Sequence, residues 1–304
     1  MNLAPVSVSL VLGSGGARGL AHIGVIQWLT ENGYQIRSIA GSSMGALVGG
    51  IHAIGKLQAY AEWVMALERF EVLRLLDPAF GSAGLFKGER IMDVLRQLIC
   101  DGDIEHLPVS YTAVAMDLDS GKEVWLRKGK LFDAIRASIA IPLLFTPVRH
   151  GDRMLVDGGL ANPVPIAPTL NDTTDLIVAV NAGARAETRP AEVQSAPLPD
   201  DNAYRQKIHA FIDGLRGARA PVSTMPGMID VALRSMEAME NTIARLKLAA
   251  YSPDVTIEIP RNACRIHEFW RAEELIAMGR ERTAKAFAGN GRAPAGGNAL
   301  RDLS

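Results

Sequence analysis

The clearest structural signal in the chain is IRSIAGSSMGALVGGIHAI, residues 36–54. A short apolar strand over residues 36–40 ends in GSSMG (41–45), and an apolar helix continues over residues 46–54. The five-residue turn fits the pattern G-x-S-x-G, in which small residues two places before and after a serine allow a sharp bend between strand and helix. The pattern therefore predicts that Ser43 stands out from the end of a sheet strand, where a reacting serine has to be.

The residues before this turn form a second unit of the same kind. Residues 6–12 are typical of a strand and run into the glycine loop GSGGARG (13–19), and the apolar spacing of residues 20–29 predicts a helix. Further strands are predicted over residues 111–117, 123–126, 153–156, 175–180 and 255–259, the first two as a hairpin. Short strands that alternate with helices predict an α/β fold, with three α/β/α layers around a mainly parallel central sheet.

The composition excludes several classes of protein. The chain has 304 residues, of which 48% are hydrophobic, so it can form a large core. Lys and Arg number 32 and Asp and Glu 33, a balance that argues against a nucleic-acid partner. Cys100 and Cys264 fit neither a disulfide framework nor a metal site, and no targeting segment or long apolar run is visible. We expect a cytoplasmic protein; peripheral contact with the inner membrane surface and the oligomeric state stay open.

Three functions are associated with a glycine-rich loop after a strand, and the residues favour one of them. Acyl transfer places negative charge on a carbonyl oxygen, and residues without side chains let a substrate approach the backbone N–H groups that stabilise it. The dinucleotide-binding pattern G-x-G-x-x-G fails because position 18 is Arg18, and no acidic residue follows the second strand. The phosphate-binding pattern fails because no Gly-Lys-Ser or Gly-Lys-Thr occurs. The loop therefore indicates backbone donors for an oxyanion.

A carboxylate at the end of a later strand is the candidate base. Asp157 follows the predicted strand 153–156 and precedes Gly158 and Gly159, which let other groups approach closely. A free aspartate has a pKa of about 3.9 and is a poor base at neutral pH. Asp157 would therefore need a dry pocket and a held hydrogen bond to accept a serine proton.

The order of these three motifs resembles the patatin-like phospholipase family, most closely its bacterial members. GSGGARG, GSSMG and DGG follow one another in the family's order, and residues 136–147 and DGGLANP (157–163) also resemble it. The resemblance covers about residues 6–183 and implies a patatin-like fold. One departure is Ser14, where many members of the family have glycine.

The resemblance implies a catalytic dyad of serine and aspartate. Ser43 matches the nucleophile and Asp157 matches the base. The other matching positions are Gly13, Gly15, Gly16, Ala17 and Arg18 for the oxyanion hole, Gly41 and Gly45 for the nucleophile elbow, and Gly158 and Gly159 for the base loop. The family's dyad works without a metal, so the resemblance implies neither a metal site nor a cofactor.

The implied function is that of a serine acyl hydrolase. Such an enzyme cleaves carboxylic ester bonds of lipids through an acyl-enzyme, as phospholipases A and lysophospholipases do, and its partner is a lipid or acyl-ester substrate. Two alternatives stay open. One is a lipid-binding regulatory protein with a weak or idle esterase site, and the other is a triad in which His209 or His267 serves as the base.

The domain organisation follows from where the motifs stop. We expect one hydrolase domain over residues 1–288, with the core motifs in residues 6–183 and C-terminal helices and a late strand in residues 227–288. Residues 184–226 contain five prolines and predict an irregular insertion or a lid, and residues 289–304 predict a disordered tail. Apolar residues at steps of three and four from Ile229 to Leu246 predict a helix that packs into the core, and a membrane-facing helix is the alternative.

Overall fold

Both strand–loop–helix units of the N-terminal region are present in the computed structural model, which describes residues 4–79, 84–187 and 227–289. Strand β1 (Ser7–Leu12) leads through a short 3-10 helix, Gly16–Leu20, to helix α1 (Ala21–Glu31). Strand β2 (Gln35–Ser42) leads to helix α2 (Met44–Ala53), and Ser43 lies between them.

The other elements continue the alternation of strands and helices. The later strands are β3 (Gly84–Phe86), β4 (Ser110–Asp117), β5 (Glu123–Leu126), β6 (Leu143–Phe145), β7 (Val148–His150), β8 (Arg153–Asp157), β9 (Leu176–Ala184) and β10 (Val255–Pro260). The later helices are α3 (Leu57–Ala66), α4 (Arg69–Arg74), α5 (Glu89–Ile99), α6 (Leu131–Ser138), α7 (Met228–Tyr251) and α8 (Ala272–Gly289). Of the described residues, 4–79, 84–186 and 235–289 belong to one compact unit, and residues 187 and 227–234 belong to a second. Within the second unit, Arg234 and Asp230 form an ion pair one turn apart.

The central sheet is mainly parallel, as predicted. Its strands lie in the order β10-β9-β1-β2-β4-β8-β7, and β5 pairs with β4 outside this path. β10, β9, β1, β2 and β4 pair in parallel, whereas β5, β7 and β8 add antiparallel pairs. β4 and β5 form the predicted hairpin. A separate two-stranded sheet pairs β3 with β6.

Both faces of the central sheet are covered by helices. Successive side chains of a strand point to opposite faces of the sheet, so the neighbours of the β1 side chains show what covers each face. Leu10 and Leu12 lie in a core cluster with residues of α1, α2 and α8, whereas Val11 lies in a second cluster with Ala244 of α7. The chain is therefore a three-layer α/β/α protein, which confirms the predicted fold class.

The strands β2 and β8 share one edge of β4 and meet there end to end. Along β4, β2 pairs with residues 110–114, β5 with residues 113–116 and β8 with residues 115–117. β5 pairs with some of the same β4 residues as β2 and with others that pair with β8. Because a strand residue has one neighbour on each edge, β5 lies on one edge of β4, and β2 and β8 lie on the other. Ser42 pairs with Val114 and Asp157 pairs with Ala115, so the carboxyl ends of β2 and β8 meet at adjacent positions.

The prediction that the apolar stripe of α7 packs into the core was wrong in part. Met239 and Leu246 of the stripe are 56% and 66% exposed, and among the described side chains of α7 it is Ala244 that is buried. Contacts with distant residues orient the helix, among them the ion pair between Lys247 and Glu123 at 2.7 Å. Such contacts lie between residues far apart in the chain, so the apolar spacing of the helix does not record them.

The predicted insertion (184–226) and tail (289–304) lie mostly outside the described residues. β9 runs to Ala184 and α8 includes Gly289, so the described chain reaches only the edges of these two segments. The single domain over residues 1–288 and the lid stay predictions. No helix within residues 4–79, 84–187 and 227–289 combines the length and the apolar character that crossing a membrane would require.

Replacement of Gly279 by alanine is expected to destabilise the fold by about 2 kcal/mol. The backbones of α1 and α8 are in contact: a Cβ at Gly279 would overlap the carbonyl oxygen of Ala21, and one at Gly24 would overlap that of Ile276. Urea unfolding measures the change. Gly289→Ala, on the same helix, is the control because a Cβ there meets no described atom, and it should change the free energy of unfolding by less than about 0.5 kcal/mol. Equal stability of the two variants would contradict the close packing.

Candidate active site

Ser43 lies on a strained turn between β2 and α2. Its φ is 55° and its ψ is -123°, a conformation that residues with side chains rarely adopt. Gly41 and Gly45 have no room for a side chain: a Cβ at Gly41 would overlap the carbonyl oxygen of Gly45, and one at Gly45 would overlap that of Leu12. The turn is therefore as tight as the spacing G-x-S-x-G predicts, and it holds Ser43 at the carboxyl end of a sheet strand.

The hydroxyl of Ser43 lies against the carboxylate of Asp157. Ser43 Oγ donates to Asp157 Oδ2 at 2.6 Å, and Asp157 Oδ1 accepts a hydrogen bond from the Gly159 N–H at 2.7 Å. Ser43 and Asp157 are only 4% and 2% exposed. Their contact follows from the meeting of β2 and β8 on β4, because each residue stands at the end of one of these strands. The fold thus brings together the residues that the sequence predicts as nucleophile and base.

Ser138, at the end of α6, connects the backbone of Ser43 to β4. Its hydroxyl donates to the carbonyl oxygen of Val114 at 2.6 Å and accepts a hydrogen bond from the Ser43 N–H at 3.0 Å. Gly158 packs on the same carbonyl group, which a Cβ would overlap. The sequence predicts no role for Ser138; its one signal is its place in the stretch 136–147 that shares the family resemblance.

Burial makes Asp157 a much stronger base than a free aspartate. Removal from water disfavours the charged form and, together with the negative charge of Glu240, raises the pKa of Asp157 to about 8. The hydrogen bonds from Ser43 and Gly159 act in the opposite direction, since they favour the carboxylate. An ionised Asp157 can therefore accept a serine proton far better than a carboxylate with an ordinary pKa of about 3.9.

The glycine loop (residues 13–19) leaves two backbone N–H groups free. Four of its N–H groups donate to carbonyl oxygens at 2.8 to 3.2 Å: Gly13 to Val180, Ser14 to Pro163, Ala17 to Ile266 and Arg18 to Gly15. Among the residues that the structure describes, the N–H groups of Gly15 and Gly16 have no acceptor. Of the five residues predicted for the oxyanion hole, Gly15 and Gly16 therefore carry the free donors, whereas the other three N–H groups are used within the fold.

The glycine loop lies beside both members of the dyad. A Cβ at Gly159 would lie 2.9 Å from Ser14 Oγ and 3.0 Å from Asp157 Oδ1. A Cβ at Gly19 would overlap the side chain of Met44, the residue after Ser43. Free backbone donors, a hydroxyl and a carboxylate are thus collected in one region of the molecule.

His22 supports the glycine loop as a neutral side chain. Its ring is fully buried, and Nε2 donates to the carbonyl oxygen of Gly13 at 2.8 Å. Burial lowers the pKa of His22 to about 4, so the ring is uncharged near neutral pH. His22 therefore acts on the loop through a hydrogen bond and adds no charge to the site.

The described residues provide the Ser43 hydroxyl with no imidazole partner. Its hydrogen bond within residues 4–79, 84–187 and 227–289 goes to Asp157. His267 lies beside Trp270, with ring centroids 6.0 Å apart, and His209 lies outside the described residues. In the same described part of the chain, no group of three or more His, Cys, Asp or Glu side chains is placed to hold a metal ion. Within the described ranges, the partner of the Ser43 hydroxyl is therefore a carboxylate.

The chain is similar to known proteins over most of its length. The family model described as patatin-like phospholipase matches residues 10–170. An uncharacterized NTE family protein of Mycobacterium tuberculosis is 40% identical, over 92% of this chain and 91% of its own length. A lysophospholipase of Emericella nidulans is 28% identical, over 60% of this chain and 12% of its own length. Among solved structures, VipD from Legionella pneumophila aligns over 95% of this chain and 67% of its own, with a TM-score of 0.46 and 15% identity.

Proposed function

Because the chain belongs to the patatin-like phospholipase family, we propose that it hydrolyses carboxylic esters of lipids through Ser43, Asp157 and an acyl-enzyme. Lipid ester hydrolysis is the activity of the family as a whole, which the chain matches over residues 10–170. The observation that carries the dyad is the 2.6 Å hydrogen bond from the Ser43 hydroxyl to the buried Asp157 carboxylate. A nucleophile and its base need this contact for proton transfer.

The first step of the proposed reaction forms the acyl-enzyme. Ser43 Oγ attacks the ester carbonyl carbon while its proton passes to Asp157 Oδ2. The carbonyl oxygen gains negative charge, which the free N–H groups of Gly15 and Gly16 are available to stabilise. The bond to the leaving alkoxide then breaks, and Asp157 gives its proton to that oxygen.

The second step releases the fatty acid. A water molecule attacks the acyl carbon while Asp157 takes its proton, and the same proton passes to Ser43 Oγ when the acyl bond breaks. One carboxylate therefore serves both half-reactions. The Gly159 N–H, which donates to the other carboxylate oxygen at 2.7 Å, holds it in place throughout.

The proposed substrate is a phospholipid or a lysophospholipid. The relative from Emericella nidulans carries the name lysophospholipase, which favours this class of ester. A cytoplasmic location, with peripheral contact at the inner membrane surface, belongs to the same proposal. The alternative is a lipid-binding regulatory protein whose esterase site is weak or idle.

Fluorophosphonate labelling followed by peptide mapping tests the proposal. The reagent should modify Ser43, and the purified protein should hydrolyse acyl esters from a panel of different chain lengths. A protein that is labelled at Ser43 but turns over no ester would support the idle-site alternative. Labelling at a different serine would refute the assignment of the nucleophile.

The rate of ester hydrolysis is expected to rise with pH through about 8. Asp157 has to be ionised to accept the Ser43 proton, and its pKa is raised to about 8, so the active form is lost as the pH falls below that value. The measurement is kcat/KM for an uncharged short-chain ester, which should fall about tenfold for each pH unit well below the midpoint. A constant rate between pH values of about 6 and 9 would contradict the raised pKa.

A further inference from the structure

Two acidic side chains of α7 contact the glycine loop. Glu240 Oε2 accepts a hydrogen bond from Ser14 Oγ at 2.9 Å, and Glu237 Oε1 pairs with the Arg18 guanidinium at 2.6 Å. The two glutamates are three residues apart and share one face of the helix. α7 therefore brings charge to the catalytic region from a part of the chain that carries no recognisable motif.

We propose that Glu240 is a positioning residue of the active site, which orients the glycine loop through the Ser14 hydroxyl and holds a negative charge beside Asp157. The inference rests on the function proposed above. It also gives a role to Ser14, the position at which the loop departs from the glycine of many family members. A glycine there would leave Glu240 without this donor.

Ser14 is the physical link between Glu240 and the dyad. Its N–H donates to the carbonyl oxygen of Pro163 at 2.8 Å and its hydroxyl donates to Glu240, so the residue is held from two sides. Ser14 Oγ and Asp157 Oδ1 also lie on the same side of Gly159, because a Cβ built at Gly159 would be close to both atoms. Because Gly15 and Gly16 follow directly, fixing Ser14 restricts the orientation of both free N–H groups.

The residues of α7 after Glu240 hold the helix against the sheet. Asn241 packs on β9 so closely that a Cβ at Gly183 would overlap its Oδ1 atom. One turn further on, Ala244 is buried, and Lys247 pairs with Glu123 at 2.7 Å. An apolar contact and polar contacts therefore both fix the helix that carries Glu240 against the sheet.

Charged and polar neighbours act on the ionisation of both Glu240 and Asp157. Arg18 and the Ser14 hydroxyl stabilise the Glu240 carboxylate, whereas burial and the neighbouring Glu237 raise the pKa of Glu240. Asp157 receives hydrogen bonds from the neutral donors Ser43 and Gly159, and the charge of Glu240 adds to burial in raising its pKa. The negative charge of Glu240 therefore opposes the ionisation of Asp157, and the two carboxylates titrate as an interacting pair.

Glu240→Gln tests the charge while it keeps the contact, because the side-chain oxygen of glutamine can still accept from Ser14. Without the nearby charge, the pH at which kcat/KM is half-maximal should fall by about one unit. At a pH of about 6 the variant should then retain about tenfold more of its own alkaline rate than the wild type does. Glu240→Ala, which also removes the contact with Ser14, should in addition lower the alkaline rate by about tenfold.

Two further variants complete the experiment. Glu273→Gln removes one exposed carboxylate on α8 and should leave the pH profile unchanged. Ser14→Ala keeps Glu240 but removes a donor that stabilises its charge, so it should move the midpoint in the same direction as Glu240→Gln. Thermal unfolding of each variant shows that it is folded before its rate is interpreted.

The outcomes separate this inference from the proposed function. A lower midpoint in Glu240→Gln and Ser14→Ala, but not in Glu273→Gln, supports the role of Glu240. A normalised Glu240→Gln profile that superposes on the wild-type profile overturns that role, while an inactive Ser43→Ala in the same assay leaves the proposed function intact. An active Ser43→Ala would refute the proposed function itself.

Discussion

Ser43→Ala is expected to abolish ester hydrolysis, with kcat at least about 10³-fold below that of the wild type. The substitution removes the oxygen that attacks the ester and that hydrogen-bonds to Asp157. Neither half-reaction can form or release an acyl-enzyme without it. Hydrolysis of an acyl ester by the purified protein measures the loss, and fluorophosphonate labelling should disappear together with turnover.

Ser42→Ala is the matched control for this variant, one residue away on the same turn. Ser42 Oγ is buried and has no hydrogen-bond partner among the described residues. Its removal should therefore leave both turnover and stability close to the wild-type values, because an unsatisfied buried hydroxyl does not stabilise a fold. Inactivity of both variants would point to a collapsed turn, and full activity of Ser43→Ala would rule out this nucleophile.

Asp157→Asn should lower kcat by about 10³- to 10⁵-fold while the protein stays folded. An amide has the size of a carboxylate but cannot accept the Ser43 proton. We expect the variant to be at least as stable as the wild type, because it removes a buried group whose ionisation is so unfavourable that its pKa is raised to about 8. Steady-state assays and thermal unfolding measure the two effects separately.

A double variant distinguishes a cooperating pair from two independent contributions. Ser43→Ala combined with Asp157→Asn should be no slower than Ser43→Ala alone, because residues that act as a unit lose their effect together.

Combined His209→Ala and His267→Ala substitutions test the triad and should keep most of the turnover. An inactive histidine variant together with an active Asp157→Asn would refute the dyad.

The tight turn at Ser43, the place of Asp157 at a strand end and the parallel sheet were all accessible from local sequence. Residues 36–54 contain the strand, the glycines and the helix that force Ser43 into its strained turn, and all of these signals lie within a few residues of one another. Strand and helix periodicity and turn chemistry depend on neighbours along the chain, so a single sequence records them. The position of Asp157 at a strand end was visible for the same reason.

The hydrogen bonds of the glycine loop could not be predicted from the local sequence. The spacing of GSGGARG indicates exposed backbone donors, but it does not distinguish the free N–H groups of Gly15 and Gly16 from those that are already used. The distinction depends on acceptors such as the carbonyl oxygens of Val180 and Ile266, which belong to distant parts of the chain. The exposure of Met239 and Leu246 on α7 was not predicted for a related reason. The orientation of a helix on a sheet depends on contacts with residues that are distant in the chain.

The amino-acid sequence alone was enough to predict the layered α/β fold and to single out Ser43 and Asp157 as candidate residues, because both predictions depend on short-range patterns. Three-dimensional packing alone decided that Ser138 reaches the N–H of Ser43 across 95 residues, and that Glu240 reaches Ser14 across 226. It also decided the pKa of Asp157, because a pKa depends on the water that is excluded and the charges that lie nearby, whatever their distance along the chain.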